Sequence, residues 1–496
     1  MKHQTTITGN AIALDPEACR RARLARDPRF DGEFFLAVRT TGIYCRPVCP
    51  ARAPSECNVT YFRSAAQAAG AGYRPCLRCR PECAPGSPAW AGTSTTVQRG
   101  LRLIAEGALD DGDVESLADR LGVTSRHLRR LVTRHVGASP VAVAHTQRLH
   151  FAKRLIDQTA LPMKEISLAA GFGSVRRFND AFRKTYDRSP RELRRGTGHD
   201  EGTHLLRLML PYREPYDWNR LVGFLAARAI PGLERISGGQ YQRAIRVGDS
   251  QGVVEVRDEG GSISLTVHGI ATELLFPVAQ RVRSVFDVDA PIDDIAEVLG
   301  RDRQLRRWLR SHPGVRVPGA WDGWELAVRA ILGQQVSVKA ATTLAGRVVD
   351  TYGETLALDL PAKMPGRLFP SPARLLRARL ENLGIIRSRA QSIRVLARAV
   401  VDGKVRFDAT QPLDEFRDAM TGLPGIGDWT ADYVAMRALK DPDSFPATDL
   451  GLRRAFEGVK GGRVSARELQ ELAASWRPWR AYAALLIWNS GSGGGG

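Results

Sequence analysis

The sequence predicts a multidomain α+β protein, and three observations predict it. Four cysteines stand in two close pairs in the first fifth of the chain, Cys45 with Cys49 and Cys76 with Cys79. A helix-turn-helix pattern occurs twice between residues 114 and 178, and beyond residue 205 alternating apolar strands give way to helices. These mark a small zinc-bound α/β domain, an all-α double helix-turn-helix domain, and a third region with an antiparallel-sheet subdomain followed by α-helical subdomains. A length of 496 residues fits this division, since one domain takes roughly 150 residues. The 72 Lys and Arg against 53 Asp and Glu leave a net charge of +19, which points to a polyanionic partner such as nucleic acid. No run of about 18 apolar residues occurs, so no membrane attachment is expected. Seven cysteines with four at ligand spacing argue for a reducing compartment. Cys19, Cys57 and Cys83 read as free or packed thiols. The first thirty residues lack an apolar signal core, so a cytoplasmic, nucleoid-associated protein is expected.

The paired cysteines suit one tetrahedral ion bound by Cys45, Cys49, Cys76 and Cys79. Spacing alone fits an inert structural ribbon as well as a reactive thiolate. The surrounding text, FFLAVRTTGIYCRPVCPAR at 34–52 and GYRPCLRCRP at 72–81, resembles the N-terminal domain of the Ada family of adaptive-response proteins. That resemblance implies one zinc ion, structural and thiolate-activating, and a methyl group taken from a DNA methylphosphotriester onto Cys45. It implies DNA contact by Arg52 and no organic cofactor.

Residues 84–95, rich in Pro, Gly, Ser and Thr, read as a linker, and a second break falls at Gly196 to Asp200. In the block between them, Val114 to Leu131 runs helix, Gly122 turn, Thr124–Ser125 cap and basic second helix. Met163 to Phe178 repeats that order around Gly171. Leu117, Leu121, Val123, Leu128 and Leu131 have the spacing to pack one helix on the next, leaving Ser125, Arg126, Arg129 and Arg130 outward. Arg176 and Arg177 hold the matching places in the second copy. An amphipathic helix through Arg148, Phe151, Arg154 and Leu155 joins them. A charged outer face is ordinarily only solvated, but two copies on one linking helix resemble the AraC family's DNA-binding domain. The resemblance implies promoter binding in successive major grooves by a monomer, with RNA polymerase as a further partner.

In the third region, residues 244–247, 253–257 and 262–267 alternate apolar and polar side chains, as in a half-buried antiparallel sheet, and helices dominate after about 272. Within Leu423-Pro424-Gly425-Ile426-Gly427, two glycines permit a tight hairpin whose amides face a phosphate. An ordinary helix connection is the plain alternative. Asp449 precedes a helical run and reads as an N-cap. The same carboxylate can oppose positive charge building on a deoxyribose.

Four runs carry a further resemblance: PYDWNRLVGFLAARAIPGLE at 215–234, AVRAILGQQVSVKAA at 327–341, LPGIGDWTADYVAMRAL at 423–439 and WRPWRAYAALLIW at 476–488. They resemble the AlkA family of alkylbase DNA glycosylases in the helix-hairpin-helix superfamily. By that resemblance Asp449 is the catalytic aspartate. Trp429, Tyr433 and Trp488 line the base pocket, though aromatics at helical spacing also serve as core. Gly425 and Gly427 bind phosphate. Gln335 stands where the family inserts a leucine wedge.

The expected division is 1–85, 95–196, 204–272 for the sheet subdomain, 273–490 for the helix-hairpin-helix glycosylase, and a disordered glycine-rich tail at 491–496. No Pro-Cys-His-Arg motif and no cysteine beyond Cys83 occur, so O6-alkylguanine repair is not expected. The partner implied is double-stranded DNA, both alkylated lesions and promoter sites. The function implied joins methylphosphotriester sensing and transcriptional activation to excision of bases such as 3-methyladenine. Two alternatives remain open: a glycosylase whose N-terminal modules only tether it to DNA, and a regulator whose pocket no longer turns over.

Lyase members of the superfamily place a Schiff-base lysine two residues after the second hairpin glycine, where this chain has Trp429. Hydrolysis without strand cleavage is therefore expected. Borohydride treatment during turnover on alkylated DNA will trap no covalent adduct.

Overall fold

The computed structural model describes residues 14–84, 95–110, 112–194, 206–358, 360–361, 363–408, 411–460 and 463–491. Most of the linker at 84–95, the break at 196–200, and all but the first residue of the tail at 491–496 lie outside them. The chain falls into two compact units, one made essentially of residues before 204 and one of those from 204 onward.

After helix Pro16–Ala25, the first unit carries a four-stranded sheet ordered Val59–Phe62, Phe35–Val38, Ile43–Cys45 and Arg74–Pro75. The last pair is parallel, with Ile43 opposite Arg74 and Tyr44 opposite Pro75. Two short parallel strands therefore end side by side, and the cysteines that follow them come off the same end of the sheet. Helix Ala65–Gly70, capped by Ser64, covers one face and buries Phe35, Ala37, Tyr44, Phe62 and Ala68.

The helical block forms as its caps and spacing dictate. Asp113 caps Val114–Arg120, Gly122 turns the chain at φ +70°, and Thr124 caps Ser125–Val136. Leu117, Leu121 and Leu128 are buried as expected, but Leu131 is only half-buried and Val132 and Val136 complete the seam. The strict i, i+4 series from Leu128 keeps one face inward. The second copy repeats this: Gly171 turns at φ +73°, Ser174 caps Val175–Tyr186, and Phe178, Phe182 and Tyr186 are buried.

The linking helix Pro140–Gln158 departs from a simple amphipathic reading. It buries Leu149, Phe151, Ala152, Lys153, Leu155 and Ile156, because helix Ala65–Gly70 and the turn Pro81–Cys83 pack on it as well as the helix-turn-helix pairs. Tyr44 OH meets His150 Nε2 at 3.0 Å, and burial pushes His150 down to about 3, so its ring is neutral. Lys153 is buried beside Asp157 at 2.5 Å and Glu82 at 3.6 Å. Arg80 also reaches Asp157, and Ser64 Oγ donates to Val136 O at 2.9 Å.

The second unit begins with a five-stranded antiparallel sheet ordered Leu206–Pro211, Ser262–His268, Ser250–Asp258, Gln240–Val247 and Glu234–Ser237. Helices follow from Leu275 onward. Among them Gly323–Leu332 is buried on nearly every side, with Trp324, Leu326, Ala327, Val328, Ala330, Ile331 and Leu332 all in the core. Sheet and helix are joined by a buried ionic cluster. Arg243 pairs with Glu234 at 2.8 Å and with Glu325. Arg329 pairs with both carboxylates at 2.9 Å, and Tyr241 OH donates to Glu234 at 2.7 Å. Burial alone would raise Glu234, but Arg329 and Arg243 outweigh it and bring it down to about 2.

Buried charges are tolerated only while each keeps its partner. Arg243→Met leaves two buried carboxylates short of a cation, and the second unit's unfolding free energy will fall by about 3–5 kcal/mol, read from urea midpoints. Because the folded pKa of Glu234 lies below the ordinary value of 4.5, its contribution is present above that pH and is lost as pH falls toward 2. The melting temperature of the wild type will decline across that window.

Candidate active sites

The glycine hairpin stands between helices Leu413–Thr421 and Asp428–Arg437. Gly425 has φ +83°, and a Cβ there would lie 2.0 Å from Ser392 Oγ, so the position excludes a side chain twice over. A Cβ at Gly427, the N-cap of the second helix, would meet nothing within 4 Å. Its surroundings are open, as an approaching phosphate requires. Ile426, between them, is buried as an anchor.

A second turn packs on the hairpin. Gln334 Nε2 donates to Gly425 O at 3.0 Å and to Thr430 Oγ1 at 3.3 Å, while Arg389 donates to Gln334 O. Gln335 follows at φ +56° and is exposed. Sequence reasoning singled out Gln335 and passed over Gln334, although both stand in one run.

Asp449 is held from three sides. Trp429 Nε1 donates to its Oδ2 at 2.9 Å, and Trp488 Nε1 donates to its Oδ1 at 3.0 Å. The backbone N–H of Leu452 donates to Oδ1 at 2.9 Å. The N-cap reading and the site reading thus describe one carboxylate. Trp429 and Tyr433, one helical turn apart, stack with centroids 5.0 Å apart and planes within 9°. No third ring fits between them, so a base would lie against this wall. Trp488 meets Tyr433 at 6.3 Å and 61°, closing the corner.

Residues the sequence did not mark stand behind that wall. The Tyr433 hydroxyl accepts from Arg437, whose guanidinium also donates to Pro318 O at 2.7 Å and Gly319 O at 3.2 Å. Arg228 lies 3.7 Å over the Phe224 ring. Burial raises the Tyr433 phenol, but the charges of Arg437 and Arg228 outweigh it and the net pKa is lowered. Arg329 of the ionic cluster donates to Arg228 O, so the sheet anchors this side of the wall. Phe224 and Arg228 lie within the run at 215–234, but the interaction of Arg228 with Tyr433 is not legible from spacing.

In the first unit, the four sulfurs of Cys45, Cys49, Cys76 and Cys79 lie within 4.8 Å of one another. A tetrahedral zinc with bonds of about 2.3 Å sets its sulfurs about 3.8 Å apart, which this cluster fits. The thiols perturb each other: the hydrogen bond with Cys49 pushes Cys45 well up, and that with Cys45 pulls Cys76 well down. Four such groups ionise together only around a cation. Arg46 N donates to Cys79 Sγ at 3.4 Å, and its side chain spans Cys79 O at 3.0 Å and Asp31 at 2.8 Å. Cys45 keeps 8% of its surface and Cys79 7%, while Cys49 and Cys76 are half-buried. Arg52 is exposed beyond the first pair.

Arg126, Arg129, Arg130, Arg176 and Arg177 are exposed on the second helices of the two helix-turn-helix pairs. Arg129 rests on Glu115 at 3.0 Å.

A known protein resembles the chain along almost its whole length. The probable bifunctional transcriptional activator/DNA repair enzyme AlkA of Mycobacterium tuberculosis is 40% identical over 481 residues, 96% of each chain. The chain belongs to this bifunctional AlkA family. Within it, residues 18–82 match the metal binding domain of Ada and 117–196 a helix-turn-helix domain. Residues 207–322 match the AlkA N-terminal domain, and 328–481 the HhH-GPD superfamily of base excision DNA repair proteins. DNA-3-methyladenine glycosylase 2 of Escherichia coli is 35% identical over 286 residues, 56% of this chain and 95% of that protein. The solved 3-methyladenine DNA-glycosylase of Archaeoglobus fulgidus shares the fold at TM-score 0.50 and 22% identity, covering 58% of this chain and 98% of that one. No helix among the described residues is long and apolar enough to cross a membrane.

Gly425→Ala forces a side chain into a left-handed conformation against Ser392. It will cost about 1–3 kcal/mol of stability and weaken binding to undamaged duplex DNA. Adding Ser392→Gly will relieve the contact but not the backbone strain, so a filter-binding titration of the double variant will recover affinity only in part.

Proposed function

We propose that this chain carries out two reactions on alkylated DNA, and that Asp449 and Cys45 are their respective centres. The observation that carries the first is the carboxylate held by two indole N–H groups beside an aromatic wall. In that reaction the C1′–N bond of the flipped nucleotide breaks, and its electron pair leaves with the base. An N-alkylated purine such as 3-methyladenine is cationic before cleavage and neutral after it, so no acid is required. Asp449 opposes the positive charge on the deoxyribose, and a water adds to C1′, passing its proton to the carboxylate or solvent. The negative charge at the edge of the wall also favours a cationic base over a neutral one by Coulomb attraction. Trp429, Tyr433 and Trp488 hold the base, Gln335 fills the stack it leaves, and Gly425 and Gly427 grip the phosphate. With tryptophan at 429, the reaction ends at the abasic site.

In the second reaction the Cys45 sulfur attacks the methyl carbon of a methylphosphotriester. The O–CH3 bond breaks, the phosphate returns to a diester, and a thioether forms once for each protein molecule. Cys45, Cys49, Cys76 and Cys79 would hold one zinc ion, whose charge would keep their sulfurs as thiolates at neutral pH. Methylation removes one negative charge from the cluster. Near a phosphate backbone that relieves repulsion worth on the order of 1 kcal/mol per close contact in water-like surroundings.

The charge change is thereby read by the helix-turn-helix pairs, and the contacts of the first unit support this over simple tethering. Tyr44, next to Cys45, touches His150 on the helix that joins the two pairs. Arg126, Arg129, Arg130, Arg176 and Arg177 would contact promoter DNA, and Arg52 the damaged backbone. Two reading heads on one chain need no dimer, so the protein acts as a monomer in the cytoplasm, associated with the nucleoid and recruiting RNA polymerase.

The test uses full-length protein and DNA carrying labelled methyl groups. Asp449→Asn will lower release of labelled 3-methyladenine by about 100-fold or more while Cys45 still acquires label. Cys45→Ser will release base normally and take up no methyl group. Release by the Asp449 variant at the wild-type rate overturns the first assignment. Footprints that are equally strong before and after methylation, or show no preferred site, return the N-terminal modules to a tether.

A further inference from the structure

Helix Arg303–Ser311 of the second unit has two faces of opposite character. Asp302 caps it, accepting from the N–H groups of Gln304 at 2.8 Å and Leu305 at 3.0 Å. Leu305 and Leu309 are buried, and Trp308 meets Phe456 edge-on at 5.7 Å. At about 100° per residue, Arg303, Arg306, Arg307 and Arg310 fall on the opposite side, and all four are exposed.

Helix stability alone does not favour such a face. Arginines three and four residues apart repel one another, and these four stand at those spacings with no carboxylate between them. Arg306 donates to Gly300 O at 2.6 Å and to Arg301 O at 3.4 Å, which engages its hydrogens but leaves its charge. The guanidinium groups of Arg303, Arg307 and Arg310 form no hydrogen bond or ion pair with another described residue. Nearby carboxylates are already engaged. Glu297, on helix Ile292–Leu299, pairs with Arg301 at 2.7 Å, and Asp302 accepts from Trp476 Nε1 at 3.2 Å as well as capping the helix. A row of uncompensated cations on one rigid helix suits a polyanion. The row carries no apolar side chain to insert into lipid, so an anionic membrane is not the partner.

The place of the helix says which polyanion. Phe456, on which Trp308 packs, belongs to the helix that begins directly after Asp449. At the α-helical rise, Phe456 lies about 10 Å along that helix from Asp449. Helix packing adds about 8–10 Å, and the arginines point outward from there. The row is therefore about 20 Å from the carboxylate, and with one phosphate per strand about every 3.4 Å that is the distance of about six base pairs.

We propose that Arg303, Arg306, Arg307 and Arg310 form a second DNA-binding surface of the glycosylase unit, one that holds the phosphate backbone of the lesion-bearing duplex about six base pairs from the damaged nucleotide. The proposal rests on the assignment of Asp449 as the glycosylase centre. Backbone contacts read no sequence, so the surface holds any duplex while its nucleotides are tested in the pocket.

The experiment measures 3-methyladenine release by three full-length proteins. Beside the wild type stand one variant with Arg303→Gln, Arg306→Gln, Arg307→Gln and Arg310→Gln, and one with Arg303→Lys, Arg306→Lys, Arg307→Lys and Arg310→Lys. The substrates are methylated duplexes with a single central A·T pair, one of about 40 base pairs and one of about 10, which reaches only about 17 Å to each side of the lesion. The helix-turn-helix pairs are common to all three proteins. On the long duplex the glutamine variant will lose about tenfold or more in kcat/KM, and its fall in log kcat/KM with log salt will be shallower by about 3. Its kcat will not change. The lysine variant will keep most of the wild-type value, because a phosphate contact depends on charge. On the short duplex the three proteins will match, which also reports that they fold. Equal kcat/KM on the long duplex overturns the proposal in favour of a solvated face or an acidic protein partner. A loss equal on both lengths, or one the lysine variant shares in full, also overturns it. A wild type that releases no base from either duplex, matching Asp449→Asn, removes the reading beneath it instead.

Discussion

Two indole N–H groups on one carboxylate set the requirements that the rest of the second unit meets. Trp429 reaches Asp449 from the helix after the glycine hairpin, and Trp488 reaches it from a helix near the end of the chain. A neutral donor fixes an oxygen without cancelling its charge, and the Leu452 amide adds the positive end of a helix. The carboxylate is thus aimed by two indoles and a helix N-terminus. Three segments spanning residues 429 to 488 must arrive within hydrogen-bond reach of one another.

The wall beside that carboxylate depends on a charged frame. Arg243 and Arg329 bind Glu234 and Glu325 out of water, and Arg329 extends to the backbone of Arg228. A buried ion cluster is a poor source of net stability but a strong source of register, because any slip exposes an unpaired charge. The sheet is therefore more than an appendage of the helical core. It holds Arg228 over Phe224 and places a second cation near Tyr433.

In the first unit a comparable role falls to two very short strands. Their parallel pairing puts both cysteine pairs at one sheet end, and Tyr44 of that sheet reaches His150 on the helix joining the two helix-turn-helix pairs. The sulfur cluster and the DNA-reading helices thereby belong to one compact body. Under the proposed activity, a charge lost at Cys45 needs no moving part to be felt by both, because it changes the potential that the whole body presents to DNA.

Much of this was legible in the sequence. The cysteine spacing, the duplicated capped helices around Gly122 and Gly171, the glycine hairpin and the aspartate before a helix are local patterns, and local patterns survive in one dimension. Sequence also marked Trp429, Tyr433 and Trp488, though not that the first two stack on each other while two indoles converge on Asp449. The Pro140–Gln158 helix is buried on more than the one side its amphipathic spacing implies, since Lys153 and Arg154 both meet Glu82. Arg437, Arg228, Gln334 and the Glu234–Arg329 cluster carried no signal, because an arginine in a run reads as solvated until a distant carboxylate or carbonyl is seen to face it. Spacing, caps and turns along the chain dictate which elements form. Which charges are buried together, and which indoles meet on one carboxylate, follow only from the folded chain, because they depend on distances between segments that spacing does not constrain.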